Sequence, residues 1–403
     1  MSPKIELIKE LNSCHIKFIG AYNYRLFAQM ENSKPYCLMP WIHFHVGDDG
    51  WAKACCVANM PFGNINTSSF DDIWNGPSIQ KLRKKFSEGV PDKRCAQCIK
   101  LEESGGKSIR QETHEKFDHL DISFDQPTPI YFDIRFSNVC NLKCRTCWHG
   151  ASSSWFEDAK KLGTQKGQKA IIQNIEDYHG FISELGPYLI NAKEIYFAGG
   201  EPMVTEEHYL LLNWLIENDQ TKVRLRYNTN FTFLRYKQYD IIKLWSHFNS
   251  IEIMASLDAI GPLSTYIRNG GKWNNILKNF DQIKDLSHIH FKISPTISVL
   301  NIQHITELIS YAIQKNMISD EGLYINILER PIHYNIQILP ISQKKQADQK
   351  ISDFISSISS ERIQNQLKEI LQYMWAKDLS KHWEKFHLQN GKIDQIRNET
   401  FPI

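Results

Sequence analysis

The sequence contains no apolar run that approaches 18 residues, so no membrane-spanning helix is predicted. Its first twenty residues lack the charged and then apolar pattern of a secretory signal. Neither sign of charge is in large excess, because the formal net charge is only +2 over 403 residues. That balance gives no electrostatic reason to expect nucleic acid or a membrane surface as a partner. We therefore predict a cytoplasmic protein.

The sequence has nine cysteines, which in a reducing compartment are more often metal ligands or spare thiols than disulfides. Three of them, Cys140, Cys144 and Cys147, stand in "SNVCNLKCRTCWHG", and no fourth cysteine follows. Zinc usually takes four protein ligands, and His149, only two residues after Cys147, is the one candidate to complete such a set. Three thiolates with one open position favour an iron–sulfur cluster whose fourth iron binds a group from outside the protein.

The chain is long enough for one large domain and a smaller one, and its 42% hydrophobic content is ample for a packed core. From about residue 130, β-rich runs alternate with runs of helical period, such as Ile276, Phe280 and Ile283. The predicted strands cover residues 129–136, 194–199, 222–229, 250–257, 290–298 and 323–328. This alternation predicts an α/β fold with a parallel, partial (β/α)6 barrel. The three cysteines follow its first strand, at the end where such sheets carry their chemistry.

Other predicted strands end in polar residues at the same rim. The second runs into "AGGEP", where Gly199 and Gly200 allow the backbone to approach a ligand and Glu201 supplies a carboxylate; a plain turn would explain the glycines alone. The third and fourth strands run into "NTN" and "SLDAIG". Asparagine and aspartate are common in turns, so their repeated arrival at one rim is the stronger signal. The candidate binding residues at this rim are Gly199, Gly200, Glu201, Asn230, Ser256 and Asp258.

Over roughly residues 125–335 the chain resembles the radical S-adenosylmethionine (SAM) superfamily. The resemblance is carried by the three spaced cysteines, by the Gly-Gly-Glu-Pro turn at 199–202 and by the region of Asp258. It implies that Cys140, Cys144 and Cys147 bind three irons of a [4Fe–4S] cluster and that SAM chelates the fourth. Reductive cleavage of SAM would then give a 5′-deoxyadenosyl radical that removes a hydrogen atom from the substrate.

The resemblance also assigns roles around SAM. Glu201 would accept a hydrogen bond from the SAM ammonium. Ser256 and Asp258 would face the ribose hydroxyls. The residue before the last cysteine is usually aromatic in this superfamily, whereas here it is Thr146, with Trp148 just after the cysteine.

The N-terminal part holds another cysteine set, at Cys37, Cys55, Cys95 and Cys98. Residues 35–115 resemble the Twitch or SPASM module, which ordinarily follows the barrel and here precedes it. The resemblance implies that these four cysteines ligate an auxiliary [4Fe–4S] cluster. Cys56 is an alternative to its neighbour Cys55 as the ligand. A zinc site on the same cysteines is the other interpretation, because a Cys-x2-Cys pair with two distant partners also suits zinc.

The remaining segments give weaker signals. Residues 1–34 form an N-terminal segment, in which Cys14 is interpreted as a buried thiol. Downstream of Cys98, Glu102, Ser108 and Arg110 lie on the path from the auxiliary module to the barrel. Arg110 could clamp a carboxylate there, although a surface ion pair is favoured. Apolar spacing in residues 341–403 predicts amphipathic helices that close the side or bottom of the barrel. After the cysteine loop, Ser154 and Glu157 predict a capping box at a helix start.

Together these features predict a radical SAM enzyme that uses SAM and two [4Fe–4S] clusters and takes electrons from an external one-electron reductant of the flavodoxin or ferredoxin type. A peptide or protein substrate is favoured, because the chain lacks an obvious basic cluster for nucleotide phosphates. A carbohydrate or nucleotide substrate is the alternative within this class. A non-catalytic iron–sulfur or zinc scaffold is the alternative from another class. No nucleic acid or membrane partner is expected.

Overall fold

The computed structural model describes residues 36–58, 60–103 and 107–402. These residues divide into two compact units: one comprises the described residues up to His45 and those of Ala52–Pro129, the other Val46–Trp51 and the described residues from Ile130 onwards. The predictions for residues 1–34, including Cys14, lie outside the described residues.

The first unit consists of short helices and strands around an aromatic core. Phe44 packs on Phe70 and Trp74, with ring centroids 4.4 and 6.2 Å away. Ser69 caps the helix that carries the latter two, accepting a hydrogen bond from the Asp72 amide at 3.1 Å. The helices are Met39–Ile42, Phe70–Trp74, Pro77–Ser87, Ala96–Glu103 and Ile109–Phe117, with a 3-10 turn at Lys93–Cys95. The strands are His43–Val46, Trp51–Lys53 and Pro61–Asn64.

The second unit is built on parallel strands whose spatial order follows the chain. In that order they are Tyr131–Ile134, Glu194–Phe197, Arg224–Thr229, Ile251–Ala255 and Ile289–Ile293. A parallel bridge from Ile293 to Leu323 marks the sixth predicted strand, which continues as Asn326–Ile327 beside Thr296–Ile297. The predicted α/β class is confirmed: the strands pair in parallel in an open, partial barrel order, and closure into a full barrel is absent from the described residues. A short hairpin, Arg235–Tyr236 with Tyr239–Asp240, lies outside this sheet.

The two faces of this parallel sheet differ in chemistry. On one face Phe197 contacts His208 and Tyr227 contacts Trp245, and both partners belong to helices. The opposite face carries ion pairs. There, Glu252 is paired with Arg224, Arg226 and Lys292 at 2.6, 2.8 and 2.9 Å. Strand alternation therefore places an apolar layer under the helices and charged side chains on the other face.

Helices connect and follow the strands. Those up to residue 314 are Phe156–Lys161, Tyr178–Leu189, Glu206–Glu217, Ile241–Trp245, Gly261–Ile267, Trp273–Ile283 and Ile305–Gln314. The C-terminal helices are Ile341–Ser357, Glu361–Trp375 and Trp383–Arg397. Short 3-10 turns occupy Ser153–Trp155, Pro202–Val204, Ile332–Tyr334, Ile336–Ile338 and Ser380–His382. The predicted apolar stripe of Ile276, Phe280 and Ile283 is buried on one helix, as its spacing requires.

One local prediction, the capping box at Ser154, is wrong. Ser154 does not cap a helix; its hydroxyl donates to the Cys140 carbonyl at 2.6 Å, and the helix begins at Phe156 after a 3-10 turn. The C-terminal helices form as predicted, and Gln366 of Glu361–Trp375 bonds the Ile325 amide and the Leu323 carbonyl beside the sheet. The last helix of the segment is Trp383–Arg397. It contacts the loop that carries Cys144, at the carboxyl ends of the strands, through Asn390 and Asp394.

None of the helices in the described ranges is both long enough and apolar enough to cross a bilayer.

Candidate functional site

The cysteine loop begins after the strand Tyr131–Ile134 and is held by three consecutive serines. Ser152 donates to the Leu142 carbonyl at 2.6 Å. Ser153 accepts from the Cys140 amide at 3.3 Å, and Ser154 donates to the Cys140 carbonyl at 2.6 Å. The run "SSS" therefore satisfies loop backbone groups that no strand or helix pairs.

The Gly-Gly-Glu turn packs directly on the start of this loop. The Gly200 amide donates to the Ser137 carbonyl at 3.1 Å, and the Glu201 amide donates to the Val139 carbonyl at 2.7 Å. A Cβ atom on Gly200 would collide with the Val139 carbonyl, and Gly199 adopts a φ of 109°, which favours glycine. The close approach that Gly200 permits is thus to the chain's own cysteine loop, whereas the sequence predicted an approach to a ligand.

The three thiols of the loop share a desolvated environment. Burial raises the pKa of Cys140 and of Cys147 to about 12, and each is raised further by the nearby thiol of Cys144. Polar hydrogens also face the sulfurs: Asn230 Nδ2 lies 4.0 Å from the Cys140 sulfur, and Arg268 Nη1 lies 3.8 Å from that of Cys144. Three partly buried thiols, two of them with donors nearby, suit an iron–sulfur cluster, because bound metal deprotonates thiols outright.

Glu201 is buried at 2% exposure beneath the Gly-Gly turn. Its Oε1 accepts from the Thr229 hydroxyl at 2.7 Å and the Met203 amide at 3.1 Å, and its Oε2 accepts from the Asn230 amide at 2.6 Å. Desolvation nevertheless raises the pKa of Glu201 to about 7, because these donors are neutral and do not fully offset burial. A cation placed beside this carboxylate would favour its charged form.

Asn230 links the glutamate to the cysteine loop. Besides the backbone contact to Glu201, its side-chain amide donates to Asn141 Oδ1 at 2.9 Å. Its own Oδ1 accepts from the Thr232 amide at 3.0 Å. The predicted residues Gly199, Gly200, Glu201 and Asn230 are therefore brought together with Cys140 at one end of the sheet.

Asp258 and Ser256 follow the strand Ile251–Ala255, as predicted, but Asp258 is already engaged. Its carboxylate lies 2.8 Å from Arg268 Nε and accepts from the Thr296 amide at 2.8 Å. Ser256 is half-buried, and its amide donates to the Thr229 carbonyl at 2.8 Å.

Arg268 also lies at this candidate site, although no sequence pattern predicted it. It lies near both Asp258 and the Cys144 sulfur, and the carboxylate of Asp258 raises the pKa of the guanidinium against the opposing effect of burial. Such a buried cation can bind an anionic group, since its donors form a rigid fork. No local pattern marks it, because it stands ten residues beyond Asp258 at a helix end.

The residues around the last cysteine have separate roles. His149, considered above as a fourth ligand, accepts at Nε2 from the Lys166 amide at 2.9 Å. Trp148 is 56% exposed and stacks edge-on against His149 at 5.1 Å. It is the aromatic residue next to Cys147 in the sequence, whereas Thr146 precedes that cysteine.

In the first unit, one cavity is lined by four cysteines: Cys37, Cys55, Cys95 and Cys98. Its empty volume is about 460 Å3, part of it open to solvent, and most of its other walls are apolar side chains such as Met39, Phe86 and Ile99. Burial raises the pKa of Cys37 to about 12 and that of Cys95 to about 11. Cys56, the alternative ligand, is exposed and does not line the cavity.

Residues 37–99, which contain these four cysteines, match the SPASM family, an iron–sulfur cluster-binding domain. The chain carries a SPASM domain. The predicted auxiliary module is thereby confirmed. The cavity would fit an iron–sulfur cluster, because four thiols from three segments of the chain line one largely apolar space. Within the described ranges, no three His, Cys, Asp or Glu side chains are arranged to hold a single metal ion.

Arg110 borders the SPASM cavity and is paired with Glu102. Its Nε donates to Glu102 Oε1 at 3.0 Å, and its Nη1 donates to the Tyr36 carbonyl at 2.7 Å. Ser108 also donates to Glu102 and forms a capping box with Gln111. The predicted ion pair is present, but it is largely buried, since the two side chains are 16% and 15% exposed.

Several solved structures are similar to this chain. Native anSMEcpe with bound AdoMet (S-adenosylmethionine) and the Cp18Cys peptide is 16% identical, with a TM-score of 0.39 over 56% of this chain and 59% of that one. Native anSMEcpe with bound AdoMet is 18% identical, with a TM-score of 0.40 over 62% of this chain and 68% of that one. Streptococcus suis SuiB bound to S-adenosylmethionine is 15% identical, with a TM-score of 0.36 over 74% of this chain and 54% of that one.

The match thus spans 59% of the length of the first of these structures. Similarity at this level does not establish an activity or a substrate. No curated relative matches the chain.

Replacing Gly200 by alanine should disrupt the contact between the glycine turn and the cysteine loop. The new Cβ meets backbone atoms of Val139 and Asn138, which cannot rotate away, so we expect a loss of about 1–3 kcal/mol in the free energy of unfolding. The iron bound per chain should fall as well. Denaturant unfolding and iron analysis would measure both effects. An unchanged free energy of unfolding together with an unchanged iron content in Gly200→Ala would contradict the expectation.

Proposed function

We propose that the chain is a radical SAM enzyme that modifies a peptide or protein. The observation that carries the proposal is the convergence of Cys140, Cys144 and Cys147 with Glu201 at one end of the parallel sheet. The nearby Cys144 raises the pKa of both Cys140 and Cys147, and Glu201 lies near enough to raise the pKa of Cys140 as well. A three-cysteine loop beside a buried carboxylate has the donors that a site-differentiated cluster and an amino-acid ligand require.

The loop cysteines would hold three irons of a [4Fe–4S] cluster, with SAM on the fourth. When bound, these groups supply the one-electron cleavage of SAM that produces the 5′-deoxyadenosyl radical. The chain's own residues orient the ligands. The serines Ser152 and Ser154 fix the loop carbonyls, and the Asn230 amide is directed at the Cys140 sulfur. Such hydrogen bonds around ligand sulfurs stabilise thiolates and tune the cluster.

Glu201 would bind the ammonium of SAM. Its three hydrogen bonds come from neutral donors, and burial raises its pKa to about 7. An ammonium beside it would therefore stabilise the charged form and be bound by it. Ser256 and Asp258 would lie near the ribose, and Asp258 would share its carboxylate with Arg268.

The SPASM domain would bind the auxiliary cluster through Cys37, Cys55, Cys95 and Cys98. Ligation by four cysteines leaves no open iron, so this cluster would transfer electrons or support the fold rather than bind substrate. An external one-electron reductant of the flavodoxin or ferredoxin type would supply the electrons. The peptide or protein substrate is proposed on the ground given by the sequence, the lack of a basic cluster for nucleotide phosphates.

Anaerobic incubation with SAM and dithionite tests the proposal. We expect about eight irons per chain, corresponding to two four-iron clusters, and formation of 5′-deoxyadenosine. Deuterium transfer from a labelled candidate peptide into 5′-deoxyadenosine would establish the substrate class. Absence of SAM cleavage by the fully iron-loaded protein would reject the enzymatic function, and bound zinc in place of iron would favour a scaffold.

Glu201→Gln should weaken SAM binding by about 1.5–3 kcal/mol, because the charge opposite the ammonium is lost. The free energy of unfolding should also fall, because the side-chain NH2 of the glutamine would face the backbone N–H of Asn230 or of Met203, which is also a donor. Calorimetric titration with SAM measures the affinity. Glu252→Gln is a matched control, being a buried carboxylate on the charged face of the same sheet. An unchanged SAM affinity in Glu201→Gln would mean that Glu201 only stabilises the turn.

A further inference from the structure

Arg145 lies inside the cysteine loop, between Cys144 and Cys147, and its side chain is fully buried. Nε donates to the Tyr266 carbonyl at 3.0 Å, and the guanidinium stacks 3.6 Å from the centre of the Tyr266 ring. Nη1 donates to Asn390 Oδ1 at 3.0 Å. Arg145 thus points away from the thiols and into the C-terminal helix Trp383–Arg397.

Two carboxylates of the C-terminal segment complete this contact. Nη2 of Arg145 donates to Asp394 Oδ1 and to Glu399 Oε2, each at 2.6 Å. A buried guanidinium is strongly unfavourable unless it is paired and hydrogen-bonded. The partners stand 249 and 254 residues later in the chain, so the loop depends on a distant segment for this pairing.

A second set of contacts joins the same helix to the other side of the loop. Lys143 lies 3.1 Å from the Asp158 carboxylate, and Arg397 Nε donates to Asp158 Oδ2 at 2.7 Å. The Arg397 guanidinium also lies 4.6 Å from the centre of the Trp155 ring. Trp155 in turn donates from its indole nitrogen to the Cys144 carbonyl at 2.6 Å.

The two sets of contacts flank Cys144 on both sides. Lys143 precedes it and Arg145 follows it, and both are connected to residues 390–399 of the C-terminal segment. The Asn269 side chain also donates to Glu399, and the Lys143 amide donates to the Asn269 carbonyl at 2.9 Å. The loop is therefore fixed by side chains on both sides of one candidate ligand, and not only by its own turns.

We propose that residues 390–399 form a C-terminal clamp that holds Cys144 and Cys147 in the geometry for cluster binding, with Arg145 as the positioning residue. The proposal rests on the proposed function of the loop as a cluster ligand. Ligand positions set how readily a cluster is lost, and residues that orient ligands change metal affinity about 10- to 100-fold when they are replaced.

The test uses the full chain with both clusters bound. Arg145→Met keeps an unbranched side chain but removes the guanidinium, so Asp394 and Glu399 lose the cation with which they pair. We expect an iron chelator to extract the catalytic cluster about 10- to 100-fold faster, as for other residues that orient metal ligands. The EPR signal of that cluster, recognised by its change when SAM is added, should shift. Arg145→Lys should restore part of the wild-type behaviour, because a lysine can pair with one carboxylate.

Asp394→Asn and Glu399→Gln disturb the clamp from the other side and are milder variants in case Arg145→Met does not fold. Each should accelerate extraction in the same direction. Lys344→Met is the matched control: Lys344 is a buried cation of the C-terminal helices that donates to the Met374 and Lys377 carbonyls and does not contact the loop. It should lower the melting temperature without changing the extraction rate or the EPR signal.

Two results would overturn the clamp. One is a wild-type extraction rate and EPR signal in folded Arg145→Met, or in both milder variants. The other is an equal acceleration in Lys344→Met, which would reduce the effect to general destabilisation. Failure of the proposed function is a separate result: the Cys140, Cys144 and Cys147 triple variant would then keep all of its iron.

Discussion

Replacing Cys140, Cys144 and Cys147 together by alanine should remove about four of about eight irons per chain, the content of one of two four-iron clusters. It should also abolish the formation of 5′-deoxyadenosine from SAM. The reason is that these thiols lie together after the strand Tyr131–Ile134, next to Glu201, and are the sulfur ligands that we propose for the catalytic cluster. Iron and sulfide analysis, together with chromatography of the SAM products, would measure both effects.

The auxiliary cluster provides the internal control in this experiment. The cavity of Cys37, Cys55, Cys95 and Cys98 lies in a different compact unit, so the remaining iron should still be bound there. Reductive SAM cleavage that persists in the triple variant would contradict the catalytic assignment. Loss of all iron together with the helical signal in far-ultraviolet circular dichroism would show unfolding. The assignment would then be judged on single Cys→Ser variants.

Much of the fold was predictable because its signals are local. Strands such as Arg224–Thr229 and Ile251–Ala255 are short β-rich runs between helical periods, and their ends are displaced from the prediction by no more than two residues. The cysteine spacing and the Gly-Gly-Glu turn are likewise contiguous patterns. The sixth strand was overestimated: of residues 323–328 only Asn326–Ile327 pairs as a strand, beyond a single bridge at Leu323.

What the sequence could not indicate are the contacts between distant segments. Ser154 has the pattern of a helix cap, yet its hydroxyl bonds the Cys140 carbonyl because the loop leaves that group unpaired. Arg145 and Glu399 have no common motif, since 254 residues separate them. The role of Gly200 was predicted only in part: the sequence predicted a close approach to a ligand, whereas the close neighbour is the Val139 backbone.

The charge chemistry of the site was also only partly predictable. Asp258 was assigned to ribose binding, but its pairing with Arg268 could not be inferred, because the arginine lies at the end of the following helix. Arg268 brings a positive charge to within hydrogen-bonding reach of the Cys144 sulfur. Burial and paired charge together decide which groups at this site ionise, and neither is encoded in a short motif.

The adjacent cysteines of the SPASM domain, Cys55 and Cys56, allow a matched comparison of a proposed ligand with its neighbour. Cys55 is buried, lines the cavity with the other three cysteines, and its sulfur accepts from the Ala58 amide at 3.3 Å. Cys56 is exposed and does not line the cavity. Cys55 and Cys56 lie in a bend after the strand Trp51–Lys53, and side chains of adjacent residues project in different directions, so both rarely reach one cluster.

Cys55→Ala should therefore lose about four irons per chain, the content of one cluster, whereas Cys56→Ala should keep the full content. Cys55→Ala should also destabilise the SPASM domain, because the cluster joins segments that are far apart in sequence and its binding energy is part of the folding energy. Iron analysis and thermal unfolding of the two variants, prepared in parallel, measure this difference. Iron loss in Cys56→Ala alone would exchange the roles of the two residues. Equal loss in both would mean that burial in the cavity does not identify the ligand.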